Sequence, residues 1–177
     1  LDSAEQVSDQ DATIAGYAMD RGKACLILGN KWDLSKEKEI SFDEFEEHVR
    51  YRLKFMEYAP VVTVSAKTGL RIDKILPQVE KVYEEYSRKI PTATLNECFE
   101  RAIQKNPMSS YRGKFMKLFY ATQVKKQPPT FKCFLNFPEG IHFSYRRYLI
   151  NSLRKRFGFS GTPVRLILSG KRKGIDS

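Results

Sequence analysis

The first 90 residues alternate short, continuous apolar runs with longer stretches in which apolar residues recur at helical spacing. Residues 24–28 and 61–64 form the two short runs, which are typical of strands buried on both faces of a sheet. Stretches with helical spacing precede, separate and follow these runs. The order helix, strand, helix, strand, helix predicts a doubly wound α/β unit with a parallel sheet, and Leu1-Asp2-Ser3 is typical of the tail of a further strand.

Start and stop signals bound the predicted helices. Ser8 is the expected N-cap of the first helix and Gly22 its stop, while Ser41 and Glu44 have the spacing of a capping box for the second. We expect each helix to bury its apolar face. These faces comprise Ile14, Ala15, Ala18 and Met19 in the first helix, Phe42, Phe45, Val49, Leu53 and Met56 in the second, and Ile72, Ile75, Leu76, Val79, Val82, Tyr83 and Tyr86 in the third.

The second half of the chain has a different pattern, in which aromatic and β-branched residues alternate with polar ones. It predicts the order helix, strand, strand, helix, strand, an α+β domain with helices on one face of a sheet. The expected elements are a helix with a Thr94/Glu97 capping box, strands at 115–123 and 131–137, a helix capped by Ser144 and stopped by Gly158, and a strand at 164–168.

Charge divides the chain at the same place as the pattern. Residues 1–90 contain 14 Lys+Arg and 17 Asp+Glu, a net charge of −3, whereas residues 91–177 contain 17 Lys+Arg and 4 Asp+Glu, a net charge of +13. We therefore predict two domains, 1–90 and 91–177, with the boundary near Ile90-Pro91, where a helical pattern meets a proline. The asymmetry indicates an anionic partner for the second domain.

Composition excludes several classes of protein. A hydrophobic content of 41% and an aromatic content of 12% argue against a disordered tail. No apolar run is long enough to span a membrane and no leader peptide opens the chain, so we expect a cytoplasmic protein. Cys25, Cys98 and Cys133 are widely spaced, and His48 and His142 are isolated; we expect reduced thiols and no metal site.

The loop after the first predicted strand carries residues that suit a guanine base. The Asp33 carboxylate can accept hydrogen bonds from guanine N1–H and the 2-amino group, and adenine offers neither donor. The aliphatic stem of Lys31 can cover the base plane while its ammonium stays near the ribose. The Asn30 amide can bond the base and tie its loop to a neighbour.

The loop after the second predicted strand complements the first. Ser65, Ala66 and Lys67 follow that strand, where the backbone N–H of Ala66 can donate to guanine O6 and Lys67 can cover the other face of the base. An Asn-Lys-x-Asp sequence alone also occurs in ordinary solvated turns. Its position after one buried strand, with Ser-Ala-Lys after the next, favours a guanine site.

These loops, together with motifs in the second half, resemble those of one protein family. Asn30–Leu34 and Ser65–Gly69 are similar to the fourth and fifth guanine-nucleotide boxes of Ras-like GTPases. Taken together, the motifs resemble the Der (EngA) family of bacterial tandem GTPases, which have two G domains followed by a KH-like domain. The further motifs are residues 10–23, Tyr120-Ala121-Thr122-Gln123-Val124, Pro128-Pro129-Thr130-Phe131, residues 142–149 and residues 157–163.

The resemblance implies a fold, a cofactor and partners. It implies that residues 1–90 are the C-terminal part of a Ras-like G domain, a parallel half-sheet with helices, and that residues 91–177 are a KH-like domain. The intact protein is then expected to bind GTP or GDP with Mg²⁺, to hydrolyse GTP, and to act in assembly of the large ribosomal subunit in the cytoplasm. Its expected partners are rRNA on the ribosome and the other G domain of the same chain.

No phosphate loop, Gly-x-x-x-x-Gly-Lys-[Ser/Thr], occurs in the sequence. That loop supplies the phosphate cradle and a magnesium ligand in this class of GTPase. By resemblance, the chain starts inside the second G domain, near the end of its fourth strand. We therefore expect this chain alone to hold no catalytic or metal-binding residues, to bind GTP weakly and not to hydrolyse it.

Basic residues of the second half are the expected contacts to RNA phosphates. Gly158-Phe159-Ser160-Gly161 has the spacing of the KH nucleic-acid clamp, but we interpret it as a helix stop and a turn, because it lies between a helix and a strand. The expected contacts are Lys114, Lys117, Lys125, Lys126, Arg146, Arg147, Arg154, Lys155, Arg156, Lys171, Arg172 and Lys173.

Two alternatives remain open from the sequence. One is a non-enzymatic RNA-binding adaptor in which residues 30–33 form an idle turn. The other is an Era-type GTPase, which also ends in a KH domain; that domain carries a clamp between helices, which this sequence lacks.

Overall fold

The chain forms two compact units. In this computed structural model residues 1–170 are described, and the first unit comprises Leu1–Tyr86 together with Phe159–Pro163. The second comprises Ser87–Gly158 and the described residues from Val164 to Gly170. The short segment 159–163 is thus part of the first unit, although it lies between a helix and a strand of the second.

The first unit is an α/β arrangement built around a small parallel sheet. β1 and β2 pair in parallel, from Ile27 opposite Val61 to Gly29 opposite Thr63, and a parallel bridge joins Asp2 to Asn30. Its elements are α1 (Asp9–Asp20), β1 (Ile27–Gly29), α2 (Trp32–Glu37), α3 (Phe42–Arg52), β2 (Val61–Thr63) and α4 (Ile75–Ser87).

Both capping predictions for the first unit are confirmed. The Ser8 side chain accepts from the Asp11 backbone N–H and completes a capping box with it at the start of α1. Ser41 and Glu44 form the predicted capping box at the start of α3. Gly22 follows α1 with φ +68°, a left-handed conformation that favours glycine at a helix end.

The core of the first unit lies around α3. The Phe45 ring packs edge-on against Trp32, with ring centroids 5.8 Å apart. A Cβ atom on Gly29 would lie only 2.6 Å from the Phe45 ring, so the close approach of β1 to α3 requires glycine. The buried cluster comprises Val7, Ile27, Trp32, Phe45, Val49, Leu53, Met56 and Ala59.

The predicted burial is wrong in part for all three helix faces, since Phe42 on α3 is 38% exposed. Ile14 on α1 is 59% exposed, and Leu76 and Tyr83 on α4 are 72% and 62% exposed. In α4 only Val82 is fully buried. A sheet as narrow as β1–β2 has too little surface to cover three helices, because each strand covers less than 5 Å of width.

The second unit is an α+β arrangement. β5 pairs antiparallel with β6, and β6 pairs in parallel with β7, giving a three-stranded sheet in the order β5-β6-β7. Its elements are α5 (Thr92–Lys105), a hairpin of β3 (Ser110–Tyr111) and β4 (Lys114–Phe115), β5 (Leu118–Lys125), β6 (Thr130–Leu135), α6 (Phe143–Phe157) and β7 (Arg165–Gly170).

The predicted order of the two helices and the three strands of the sheet is confirmed, but the structure adds strand β3, and some of the predicted ends are wrong. α5 begins after Pro91 with no side-chain cap, so Thr94 lies inside the helix. His142 rather than Ser144 caps α6, and its ring accepts from the Ser144 backbone N–H. The predicted strand at 115–123 is two strands, because Met116 and Lys117 separate β4 from β5.

Burial alternates along the sheet of the second unit. Phe131, Cys133 and Leu135 on β6 are fully buried, with Leu95, Leu149 and Leu153 of the two long helices. Burial raises the pKa of the Cys133 thiol to about 12, which keeps it protonated and unreactive near neutral pH. Within residues 1–170, no helix is both long and apolar enough to cross a membrane.

Candidate functional site

The two predicted base-reading loops meet in the structure. The Ser65 hydroxyl donates to Asp33 Oδ1 at 2.6 Å, and the Ala66 backbone N–H donates to Asn30 Oδ1 at 3.0 Å. These residues are 32 and 36 positions apart in sequence. Two independent hydrogen bonds therefore hold the loops together through the side chains that the sequence singles out.

The parallel strands account for this meeting. The Val64 N–H donates to the Gly29 carbonyl at 2.9 Å and the Trp32 N–H to the Val64 carbonyl at 3.0 Å, which extends the ladder beyond the strand ends. Because parallel strands end at the same edge of a sheet, the loops that follow them become neighbours. Asp33 lies in the first turn of α2 rather than in an irregular loop.

Asn30 is also held from the other side. Its backbone N–H donates to the Leu1 carbonyl at 2.9 Å, and its carbonyl accepts from the Ser3 N–H at 2.8 Å. The Ser3 hydroxyl bonds the same carbonyl at 2.7 Å and the Ser35 hydroxyl at 2.7 Å. The backbone of Asn30 is thus fixed on one edge of β1 and its side chain on the other.

Lys31 has a constrained backbone and a paired side chain. Its φ is +63°, a conformation that is uncommon for residues other than glycine. Its ammonium lies 2.6 Å from Asp2 Oδ2. The hydrogen bond and charge of Asp2 raise the pKa of Lys31, and the hydrogen bond from Lys31 lowers the pKa of Asp2. The expected position near a ribose would require the ammonium to leave this pair.

The second loop is a closed turn. The Ser65 N–H donates to the Leu70 carbonyl at 3.1 Å, and the Thr68 N–H donates to the Ser65 hydroxyl at 3.2 Å. Ser65 is fully buried, whereas Ala66 and Lys67 are exposed. The Ser65 hydroxyl therefore fixes its own turn and the Asp33 carboxylate at once.

The two joined loops can recognise a planar ring that carries neighbouring hydrogen-bond donors. Among the described residues, only one Asp33 oxygen accepts a hydrogen bond, so the second is available as an acceptor. The Ala66 N–H already has Asn30 as its acceptor, so an incoming carbonyl oxygen must share or replace that bond. Residues 1–170 contain no group of three or more His, Cys, Asp or Glu side chains placed to hold a metal ion.

The predicted RNA-contact residues are spread over the second unit. Lys114 lies in β4, Lys117 between β4 and β5, Lys125 ends β5, and Lys126 is in the following turn. Arg146, Arg147, Arg154, Lys155 and Arg156 all belong to α6. Lys171, Arg172 and Lys173 lie outside the described residues.

Two of the α6 arginines are already engaged within the unit. Arg156 pairs with Glu97 at 2.9 Å, and the Arg146 guanidinium donates to the Leu166 carbonyl at the start of β7. Each therefore has a structural contact that competes with binding to a phosphate. Arg147 and Lys155 are exposed.

A cleft between α5 and α6 brings two cations that the sequence did not single out, Arg101 and Lys105, next to two that it did. The cleft has a volume of about 500 Å³ and includes the side chains of Arg101, Lys105, Lys155 and Arg156, which we call the basic cleft. Burial raises the pKa of Cys98 on its wall, and the neighbouring arginines oppose that shift. Arg101 and Lys105 are four residues apart on the polar side of α5, a spacing that places both on one helix face.

The second unit matches a known domain family. Residues 89–168 match the family described as the KH-domain-like domain of EngA bacterial GTPase enzymes, C-terminal. The chain thus carries the C-terminal KH-like domain of the EngA family. It is 49% identical over 173 residues to the GTPase Der of Moorella thermoacetica, an alignment that covers 98% of this chain and 40% of that protein.

Other relatives give the same result. The GTPase Der of Desulforapulum autotrophicum is 47% identical, in an alignment that covers 99% of this chain and 36% of that protein. The GTPase Der of Geotalea daltonii is 43% identical, in an alignment that covers 97% of this chain and 39% of that protein. The chain thus spans about two fifths of the Der proteins it matches. The matched stretch includes the loops that follow β1 and β2 as well as the KH-like domain.

Proposed function

We propose that this chain supplies the base-reading part of a guanine-nucleotide site and an RNA-docking KH-like domain to a GTPase of large-subunit ribosome assembly. The observation that carries the proposal is the joining of the two loops through Asp33–Ser65 and Asn30–Ala66. The name of the relatives, GTPase Der, supports the same class of activity. In this proposal the first unit is part of a Ras-like G domain.

The residues present fit a guanine base. Asp33 would accept from N1–H and the 2-amino group, and its bond from Ser65 fixes the carboxylate before the base arrives. The Ala66 N–H would donate to O6, with the Asn30 amide oxygen giving up or sharing that donor. Lys31 and Lys67 would flank the base. Adenine would leave the carboxylate without its donors, which disfavours it.

The chain would read the base rather than hold the phosphates. No phosphate-loop sequence occurs in the 177 residues, so tight GTP binding, Mg²⁺ and hydrolysis would depend on further residues of the intact protein. We expect the chain alone to bind GDP weakly. Its other partners would be rRNA of the large subunit and the other G domain of the same protein, in the cytoplasm.

Nucleotide titrations of the ¹⁵N-labelled 177-residue chain test the base-reading site. We expect GDP to shift the Ala66 amide resonance more than ADP does at equal concentration. In Asp33→Asn the preference for GDP over ADP should fall by about tenfold or more. The Asn amide would place an N–H donor opposite the 2-amino group of guanine, which is also a donor. The same variant would gain affinity for xanthosine diphosphate, whose carbonyl at that position accepts.

Asp73→Asn is the matched control, since it removes an exposed carboxylate of the same unit outside both loops. It should keep the preference for GDP. Equal responses to GDP and ADP in the unmodified chain would contradict the guanine site and leave an RNA-binding adaptor as the function.

A further inference from the structure

One face of the sheet in the second unit is not covered by the helices. Strand pairing places Tyr120, Phe134 and Ser169 side by side, and next to them Thr122, Lys132 and Ile167. Of the alternate positions, Ala121, Phe131, Cys133 and Leu166 are fully buried. We call Tyr120, Thr122, Lys132, Phe134, Ile167 and Ser169 the open sheet face.

Two aromatic rings are stacked on the open sheet face. Tyr120 and Phe134 have ring centroids 4.4 Å apart and an interplanar angle of 19°. The Lys132 ammonium lies over the Phe134 ring, 5.1 Å from its centroid. Tyr120 is 48% exposed, and it belongs to β5, one of the two edge strands of the sheet. The rings therefore form a short stack whose outer member is accessible at the edge.

The charge of this face selects the kind of ligand. The three strands contain Lys125, Lys132 and Arg165 but no Asp or Glu. Residues 91–177 as a whole have a net charge of +13. A surface that combines flat rings with cations and no carboxylates suits a polyanion that carries flat rings of its own.

A protein partner fits these observations less well. Besides the ring pair, the only apolar side chain of the open sheet face is Ile167, which is 45% exposed. Thr122 and Ser169 add hydroxyl groups that can bond the edge of a base or a ribose. Protein interfaces are typically depleted of lysine at their centre, whereas here Lys132 lies against the central ring.

We propose that the open sheet face binds single-stranded RNA, with an unpaired base stacked on Tyr120 and Lys132 neutralising a neighbouring phosphate. This assignment rests on the RNA-docking role proposed above and gives it a base-contacting site. The Gly158–Gly161 turn takes no part, because Phe159 within it is fully buried. Aromatic residues on an exposed sheet are an established means of stacking bases in other folds.

Fluorescence anisotropy with a labelled single-stranded oligoribonucleotide tests the proposal on the 177-residue chain. Loss of one stacked base typically weakens binding by about fivefold to a hundredfold, and we expect Tyr120→Ala to do so. Tyr120→Phe keeps the ring and should bind within about twofold of the unmodified chain. Phe143→Ala, which removes a 70% exposed aromatic side chain at the start of α6, is the matched control and should have no such effect.

A second oligonucleotide separates stacking from a change in fold. An oligomer with abasic sites lacks the base that would stack, so its affinity should be equal for the unmodified chain and Tyr120→Ala. With 2-aminopurine in the oligomer, the unmodified chain should quench its fluorescence and Tyr120→Ala should not, because stacking causes the quenching.

The outcomes distinguish this inference from the function on which it rests. If the unmodified chain does not bind RNA at all, the RNA-docking role fails and the assignment fails with it. If the chain binds RNA but Tyr120→Ala binds equally well, the docking role stands and the open sheet face is not a base-stacking site. In the latter case a protein partner becomes the better assignment for this face.

Discussion

The two units carry their candidate functional groups in different ways. In the first, the loops at the ends of β1 and β2 are joined by hydrogen bonds of 2.6 and 3.0 Å, so the side chains that form these bonds are held in defined positions. In the second, cations are distributed over a helix, a turn and the basic cleft. A site defined by distances should fail when one residue changes, whereas a surface defined by charge should weaken in small steps.

The largest expected effect concerns the support beneath the first loop. Phe45→Ala removes the ring that packs on Trp32 and against Gly29. We expect the free energy of unfolding of the first unit to fall by about 3–5 kcal/mol, the usual cost of a buried Phe→Ala change. Trp32 is the single tryptophan of the chain, so its fluorescence in a urea titration reports on this unit.

Phe42→Ala on the same helix is the control for this experiment. Phe42 is 38% exposed, so its truncation should cost less than about 1 kcal/mol. Equal losses for the two variants would show that the buried cluster does not support the loop as described.

The next largest effect concerns the contact between the loops. Asn30→Ala removes one of the two hydrogen bonds that hold the loops together before a base arrives. The loops should then be less well placed for the base, and GDP binding should weaken by about tenfold, which corresponds to about 1.4 kcal/mol. Amide hydrogen exchange at Ala66 should become faster. In Asn30→Asp an acceptor remains, so protection of the Ala66 amide should be retained; loss of protection in both variants would contradict this contact.

The graded behaviour of the second unit predicts a smaller effect. Lys125→Gln combined with Lys126→Gln should reduce the slope of log affinity against log salt for single-stranded RNA by up to about 1.4, because each phosphate contact contributes about 0.7. The control variant, Lys54→Gln combined with Lys81→Gln in the first unit, should leave this slope unchanged. A complete loss of RNA binding in the Lys125/Lys126 variant would instead indicate a site with fixed geometry.

The smallest effect is a pH dependence of the first unit. The hydrogen bond from Lys31 lowers the pKa of Asp2 in the folded state, so the stabilisation is present above the ordinary aspartate pKa of about 3.9 and is lost as the pH falls through the folded-state pKa. The Lys31 side chain is 55% exposed and that of Asp2 23%, so solvent screens the pair, and Asp2→Asn should cost less than about 1 kcal/mol at pH 7.

Urea titrations monitored through Trp32 can follow this effect between pH 7 and pH 3. The difference between the unmodified chain and Asp2→Asn should shrink toward zero at the acid end. A difference that stays constant with pH would show that the Asp2–Lys31 pair contributes no titrating stabilisation.

Local signals in the sequence predict much of this structure. The Ser8 cap and the Ser41/Glu44 box require only neighbouring residues, so the sequence contains all the information they need. The order of elements follows from periodicity, and the meeting of Asp33 with Ser65 follows from the parallel pairing of their strands. The order of elements and the contact between the loops thus each need only one step of inference beyond the local pattern.

Features that depend on tertiary contacts could not be predicted in the same way. The exposure of Leu76 and Tyr83 depends on the layer available to cover α4, which periodicity does not reveal. Segment 159–163 joins the first unit, although its neighbours in sequence belong to the second. The stack of Tyr120 on Phe134 depends on a cross-strand register that includes a bulge next to Tyr120.

The most direct test of the account is one ¹⁵N-resolved titration of the 177-residue chain with GDP and then with single-stranded RNA. We predict that GDP shifts the amide resonances of Ala66 and its neighbours in the two loops more than ADP does at the same concentration. RNA should shift resonances of the second unit, including Tyr120. Shifts of the loop amides that are equal for GDP and ADP, or absent for both, would contradict the account.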